Sequence, residues 1–265
     1  VYLLVLILVT NDDGIASAGI KALAESLKRI ADVAVVAPER ERSAVGHAIT
    51  MHKPLRANRV KYFGEGIDAW SVNGTPSDCV KLGIEVLVKG KPDLVFSGIN
   101  RGPNLGTDVL YSGTVSAAIE AVMMGVPSAA LSLASCEYED YGVAAEFAVL
   151  LAQNMYREGL DGNTLLNVNI PGLPKEELKG VRITRLGTRK YVNSFQTRLD
   201  PRGQEYYWMS GEAVNENNDS DCDINLVAEN YITITPVHFE LTRFDYIERL
   251  NKWSFEPFKG GNGSA

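Results

Sequence analysis

The run Val5-Leu6-Ile7-Leu8-Val9, closed by Thr10-Asn11-Asp12-Asp13-Gly14, constrains this chain more than any other stretch. Five apolar residues without polar alternation predict a strand buried on both faces, the environment of a parallel sheet. Ligands of open α/β sheets bind beyond the carboxyl ends of the strands, so Asp12 and Asp13 fall where a binding edge belongs. Two adjacent carboxylates there need compensation, and a hard divalent cation is the natural source. A solvent-facing Asp-Asp-Gly turn is the alternative.

The residues that follow repeat the same grammar. Ile20, Leu23, Ala24 and Leu27 recur at helical spacing and predict an amphipathic helix over residues 20–30. Residues 33–37 (Val-Ala-Val-Val-Ala) read as a second buried strand, completing a βαβ unit. The polar loop from Pro38 to His47 then returns to the binding edge, and residues 51–66 suggest a short hairpin or excursion. After a strand at 68–72, Thr75-Pro76-Ser77-Asp78 has the form of a capping box with proline at the first helical position, opening a helix that runs to Gly90.

Residues 94–97 predict a third buried strand, followed by the glycine- and asparagine-rich loop Gly98-Ile99-Asn100-Arg101-Gly102-Pro103-Asn104-Leu105-Gly106. Such a loop can bring its backbone close to a ligand. Ser112-Gly113-Thr114 then opens a helix through Met124, and free N–H groups at a helix start suit a phosphate. A serine cap without ligand is the alternative there. A strand at 128–133, a helix at 141–156 and a strand at 165–170 continue the alternation. The consistent reading is an α/β fold with a doubly wound, Rossmann-like, mostly parallel sheet.

Beyond Pro174 the style changes. A strand-like piece at 181–186 precedes residues 189–192 and 205–209, which flank the turn Asp200-Pro201-Arg202-Gly203 and predict a protruding β-hairpin. A polar loop at 215–223, a short helical segment at 224–228, a strand at 231–235 and a helix at 246–253 follow. The glycine-rich tail from Gly260 is expected to be disordered. The division expected is a catalytic core over 1–187, a hairpin and loop for subunit contacts over 188–225, and a C-terminal strand and helix over 226–265. A hairpin and terminal helix carrying Trp253 and Phe255 bury little alone, so they are expected to pack on another subunit.

Composition limits the partners. A formal charge of −7 disfavours a surface for nucleic-acid polymers, which needs a basic stripe. Cys79, Cys136 and Cys222 form neither a disulfide framework nor a zinc pattern, which suits a reducing compartment. The opening apolar run is too short to span a bilayer and has no basic leader. A cytoplasmic protein without membrane attachment is expected.

Asp12-Asp13, the Ser43 loop and the Asn100 to Thr114 stretch converge on one sheet edge if the sheet is wound as described. Carboxylates with Ser and Asn oxygens suit Mg²⁺, Mn²⁺ or Ca²⁺. A phosphate-binding helix start beside such an ion supplies the parts for phosphoester hydrolysis. His47 is read either as a substrate contact or acid or as a structural residue, and His52 and His238 as structural. Tyr111 is read as a base-stacking or a packing residue. No Gly-x-Ser-x-Gly, His-Glu-x-x-His or Walker A pattern occurs, which weakens triad hydrolase, zinc protease and P-loop readings. A binding module without turnover would not need the acidic pair, and a transferase would need a second α/β half.

In order along the chain, Thr10-Asn11-Asp12-Asp13-Gly14-Ile15, Ala37-Pro38 through Ser43 and Gly46, Gly74-Thr75-Pro76-Ser77-Asp78, Ser97-Gly98-Ile99-Asn100-Arg101-Gly102-Pro103-Asn104, Tyr111-Ser112-Gly113-Thr114 and Asn167-Val168-Asn169-Ile170-Pro171 resemble the SurE, or survival protein E, family of nucleotidases. The resemblance is strong over the first two thirds and thins beyond. It implies a metal-dependent phosphatase acting on nucleoside 5′- and 3′-monophosphates, sometimes on short polyphosphate. It implies Asp12, Asp13, Ser43 and Asn100 as ligands of one divalent ion per subunit (Mg²⁺ or Mn²⁺). It further implies Ser112, Gly113, Thr114 and Asn100 as phosphate contacts, and a homodimer or homotetramer with an exchanged C-terminal segment. Asp12 and Asn100 are the catalytic candidates. Asp12 is expected to orient or deprotonate a water, with direct attack by its carboxylate as the alternative.

Overall fold

The computed structural model describes residues 2–3, 5–161, 163–193, 195–215 and 219–255. The tail from Gly260 and part of the 215–223 loop lie outside them. The first half comprises β1 (Leu6–Thr10), α1 (Ala18–Lys28), β2 (Asp32–Pro38), β3 (Ala57–Arg59), β4 (Ile67–Val72), α2 (Pro76–Leu82), β5 (Leu94–Arg101) and α3 (Gly113–Met123). It continues through β6 (Ser128–Leu133), α4 (Gly142–Glu158), β7 (Thr164–Ile170), β8 (Val181–Ile183), β9 (Arg189–Val192), β10 (Phe195–Leu199), β11 (Glu205–Met209) and β12 (Glu212–Asn215). The chain closes with α5 (Asp223–Ala228), β13 (Ile232–His238) and α6 (Phe244–Leu250).

Nine strands form one sheet in the order β3-β4-β2-β1-β5-β6-β7-β13-β8. From β4 to β7 every neighbouring pair is parallel. The antiparallel pairs lie outside that block, β3 against β4 at one edge and β13 against β7 near the other. The chain moves outward from β1 first through β2 and β4, then in the opposite direction through β5, β6 and β7. The strand order therefore reverses between β1 and β5, and a doubly wound sheet opens a crevice at that reversal.

Burial follows the pleat. Ile7 and Val9 of β1 join the core layer of α1 and α4, whose Ile20, Leu23, Leu27, Ala144 and Ala148 are buried. Leu8 faces the opposite layer with Cys79 and Val80 of α2 and Ala117 and Ala121 of α3. Both faces of β1 are thus dry, which explains the unbroken apolar run. The capping box of α2 is present: the Asp78 N–H donates to Thr75 Oγ1 (3.1 Å) and the Thr75 N–H to Asp78 Oδ2 (2.8 Å). After Leu82 this helix widens into a π-type turn, Gly83–Leu87, rather than continuing as a regular helix to Gly90. Gly83 lies where a Cβ would meet Leu8 and Val36 at 3.1 and 3.3 Å, so close packing on the sheet governs the backbone there.

The expected hairpin has a different register. Arg189–Val192 pairs with Glu212–Asn215, and Glu205–Met209 pairs with Phe195–Leu199. The turn between Leu199 and Glu205 sets this: the Gly203 N–H donates to the Asp200 carbonyl (2.9 Å), and Asp200 Oδ1 accepts from the N–H groups of Arg202 and Gln204. The last helix covers Phe244–Leu250, starting two residues and ending three residues earlier than the apolar spacing predicts. No helix among the described residues is long and apolar enough to cross a membrane.

Candidate active site at the sheet reversal

Asp12 and Asp13 follow β1 directly, and Asn100 sits near the end of β5, so the reversal brings both to one edge. Three contacts tie the expected residues together. Thr114, the second residue of α3, donates its hydroxyl to Asp12 Oδ1 across 102 positions of sequence. The N–H of Arg101, next to Asn100, donates to Asp13 Oδ2 (3.1 Å). The N–H of Arg42, next to Ser43, donates to the Asp12 carbonyl (2.8 Å). Gly14, with φ +94°, lets the chain turn beneath this loop, where a Cβ would press on the Arg40 backbone at 3.0 Å.

The start of α3 lies against Asp12 itself. A Cβ on Gly113 would stand 2.8 Å from Asp12 Cβ and Oδ2, so only glycine allows this approach. Ser112 caps the helix, its Oγ accepting from the Val115 N–H (3.1 Å). The cap leaves the Ser112 hydroxyl proton available as a donor. Ser112 thus serves the helix, and Thr114 serves Asp12. Tyr111 is exposed, and its carbonyl accepts from the Gly46 N–H (3.1 Å), fastening the Ser43 loop to the approach of α3.

Burial pushes the Asp12 carboxyl above the usual carboxylate range, opposed by hydrogen bonds from the Thr114 hydroxyl and from backbone N–H groups. Burial, and then the neighbouring Asp12 charge, push Asp13 up to about 6. The pair is therefore costly to ionise unless a cation offsets it. Among the described residues no three His, Cys, Asp or Glu side chains cluster as a metal site. The donor set here is instead two carboxylates with neutral oxygens. Asn100 commits its Nδ2 to the Gly102 carbonyl (2.8 Å), which leaves Oδ1 as its free acceptor. Ser43 Oγ donates to Glu41 Oε1 (2.5 Å), so its lone pairs also remain free. Such oxygens suit a hard divalent ion.

Several neighbours escaped sequence reasoning. Glu41 is one; a carboxylate two residues before Ser43 in an exposed loop carries no distinguishing local pattern. A buried amide cluster is another. The Asn104 N–H donates to Asn169 Oδ1 (2.8 Å), its Nδ2 to Ser132 Oγ (2.7 Å), and its carbonyl accepts from Asn167 and Asn169 (both 2.9 Å). These contacts fix the loop after Asn100 on β6 and β7. His47 Nε2 lies 2.8 Å from Glu120 Oε2, while Lys81 reaches Glu120 Oε1 at 3.3 Å. His47 therefore takes the structural role, pinning its loop to α3.

A doubly wound α/β protein with adjacent aspartates, one buried and one half-buried, beside a glycine-opened helix start is the class that fold and site define. The family profile described as survival protein SurE matches residues 7–193. The chain is 54% identical over 252 residues to the 5′-nucleotidase SurE of Alkaliphilus metalliredigens, covering 94% of this chain and 99% of that protein. It is 54% identical over 251 residues to the 5′-nucleotidase SurE of Carboxydothermus hydrogenoformans, covering 93% and 95%. The crystal structure of the SurE protein from Aquifex aeolicus superposes with a TM-score of 0.82 at 40% identity, over 93% of this chain and 98% of that one. This chain belongs to the SurE family.

Proposed function

We propose that this chain is a metal-dependent 5′-nucleotidase that hydrolyses nucleoside monophosphates to nucleoside and inorganic phosphate. The observation that carries the reading is the seating of Gly113 and Thr114 directly on the Asp12 carboxylate at the sheet reversal. A receiver for phosphate and an anchor for a cation there share one point. The relatives named above carry the same activity in their names. 3′-monophosphates and short polyphosphate are proposed as further substrates.

Asp12, Asp13, Ser43 and Asn100 are the proposed ligands of one Mg²⁺ or Mn²⁺ per subunit. When bound, such an ion neutralises phosphoryl charge and lowers the pKa of a coordinated water. The N–H groups of Gly113 and Thr114, at the positive end of α3, receive the phosphoryl oxygens, with the Ser112 hydroxyl as a further donor. Thr114 holds Asp12 in one orientation, and Asp12 takes the proton of the attacking water. Water oxygen bonds to phosphorus as the ester bond breaks, and the leaving alkoxide takes a proton from solvent water to give the nucleoside. Attack by Asp12 itself is the variant route, and a trapped phosphoaspartyl adduct would establish it.

Assembly is part of the proposal. Residues 188–225 and 226–265 serve contacts between copies in a homodimer or homotetramer, and the protein works in the cytoplasm. Phe244, Ile247, Leu250 and Trp253 form an exposed apolar stripe on and after α6, in keeping with that use. The test of function is phosphate release from adenosine monophosphate with Mg²⁺ or Mn²⁺. Release that stops with a chelator and returns with the ion is expected; release unaffected by chelation, or none under any condition, overturns the reading.

A further inference from the structure

Ser43 stands in a short bridge of chain with few bonds of its own. Among the described residues, residues 43–45 make no backbone hydrogen bond, and the Ser43 hydroxyl turns to Glu41. Ala44 sits at φ +54°, a left-handed conformation that residues other than glycine seldom adopt. Strain of that kind persists only where the surroundings over-determine the backbone. The placement of Ser43 is therefore decided at the two ends of the bridge.

One end is Arg42, whose N–H donates to the Asp12 carbonyl (2.8 Å). The other is a seam along residues 46–50. There the Gly46 N–H donates to the Tyr111 carbonyl (3.1 Å), and the Ala48 carbonyl accepts from the Thr75 hydroxyl (2.7 Å). Thr50 donates its N–H and hydroxyl to Asp78 (2.9 and 2.6 Å). Within the seam, His47 reaches α3 itself: its Nε2 lies 2.8 Å from Glu120 Oε2. A carboxylate only accepts, so the imidazole is the donor. The Glu120 side chain is 7% exposed, and its other oxygen takes Lys81 Nζ of α2 at 3.3 Å. This is a fixed partner rather than a swinging surface charge, whose pairing would contribute little. Glu120 and Thr114, the partner of Asp12, lie on the same helix.

We propose that His47 is a positioning residue for the cation: by fastening its loop to Glu120 it holds Ser43 beside Asp12 and so sets how tightly the ion binds. The inference rests on the reading of Asp12, Asp13, Ser43 and Asn100 as the ligands. Helix α3 is then the common reference for two of them, orienting Asp12 through Thr114 and securing Ser43 through His47. His47 acts through Ser43 and takes no part in the chemistry. Affinity for the ion depends on it, and turnover with the ion bound does not.

Calorimetric titration of Mn²⁺ into the full chain, without nucleotide, compares wild type with His47→Ala and His47→Gln. Alanine removes the donor, whereas the glutamine amide reaches to where Nε2 stands and keeps it. His47→Ala is expected to bind Mn²⁺ about tenfold more weakly, the scale on which groups that orient metal ligands act, and His47→Gln within about twofold of wild type. Phosphate release from adenosine monophosphate should show the matching split. Half-saturation by Mn²⁺ rises about tenfold in His47→Ala, while kcat at saturating ion stays within about twofold. A merely structural contact would lower thermal stability and leave Mn²⁺ affinity where it was. Wild-type affinity in His47→Ala, or His47→Gln as weak as His47→Ala, overturns the positioning role. So does a kcat that stays about tenfold low at saturating Mn²⁺, which would put His47 in the chemistry instead. Should the alanine protein not fold, His47→Asn, polar but too short to reach Glu120, takes its place. Absence of Mn²⁺ binding in the wild type would overturn the cation reading and this role with it. Binding without phosphate release would sink the nucleotidase reading alone, while the titration still decides His47.

Discussion

The edge where β1 meets β5 and the hairpin from β9 to β12 distribute polarity in opposite ways. At the edge, Thr10, Asn11 and Asp12 are polar residues taken out of water, and the Thr10 hydroxyl and Asn11 Oδ1 have no hydrogen-bond partner among the described residues. In the hairpin, Phe195, Leu199, Tyr207 and Trp208 are apolar residues left in water, Trp208 with 60% of its surface exposed. Each arrangement is costly for an isolated chain. Under the proposed function, a bound ion and phosphate would offset the buried polarity, and a second copy of the chain would cover the exposed apolar surface. The two regions should therefore respond to different perturbations.

The largest separation is expected from Gly113→Ala. Its new Cβ would collide with Asp12, so α3 or the carboxylate must shift. A displacement of that kind costs about 100-fold in kcat/KM, with subunit association unchanged by light scattering. Thr114→Val comes next. It keeps the shape of the side chain but removes the donor to Asp12, and about tenfold in kcat with about 1–2 kcal/mol of stability should be lost. Denaturant melts beside steady-state rates would check both; full activity in Thr114→Val would mean Asp12 needs no orientation.

Glu120→Gln probes the brace between the site loop and the helices. The hydrogen bond from His47, aided by Lys81, holds the Glu120 carboxyl below its ordinary value. A depressed carboxylate contributes stability that is present above its unfolded value, near 4.5, and is lost as pH falls through the folded one. The wild type should thus lose stability below about pH 4.5 more steeply than Glu120→Gln. Parallel melting curves across pH 3–7 would contradict this account. The smallest effect on the core should come from Trp208→Ser with Phe195→Ser. Monomer stability should change by less than about 0.5 kcal/mol, as for exposed positions generally, while association measured by sedimentation weakens. An unchanged association constant would remove the hairpin from the interface.

The same contrast explains what could be read from the residues alone. The core declared itself because Ile7, Leu8 and Val9 are dry on both faces, leaving no choice of environment. Thr75 and Asp78 were legible because a capping box is a contact of three residues' span. The bond from Thr114 to Asp12 was not, since it crosses 102 positions and follows only from the strand order. Ser112 and Thr114 looked interchangeable as hydroxyls at a helix start; geometry separated a cap from a carboxylate partner. The pairing within the hairpin is not legible in the sequence, because every residue of β10 and β11 is exposed and no buried face distinguishes one pairing from the next. Its turn, with Asp200 binding two backbone N–H groups, supplies the register instead.

The buried Asp12 and the half-buried Asp13 are proposed as the cation site on which phosphate release depends. Calorimetric titration of Mn²⁺ into wild type and into Asp12→Asn, followed by phosphate release from adenosine monophosphate on the same samples, addresses it most directly. One ion per subunit is expected in the wild type. Asp12→Asn should keep its far-ultraviolet circular dichroism, bind the ion at least about tenfold more weakly and lose nearly all activity. A folded Asp12→Asn protein that binds Mn²⁺ as tightly and releases phosphate as fast as the wild type would contradict the account.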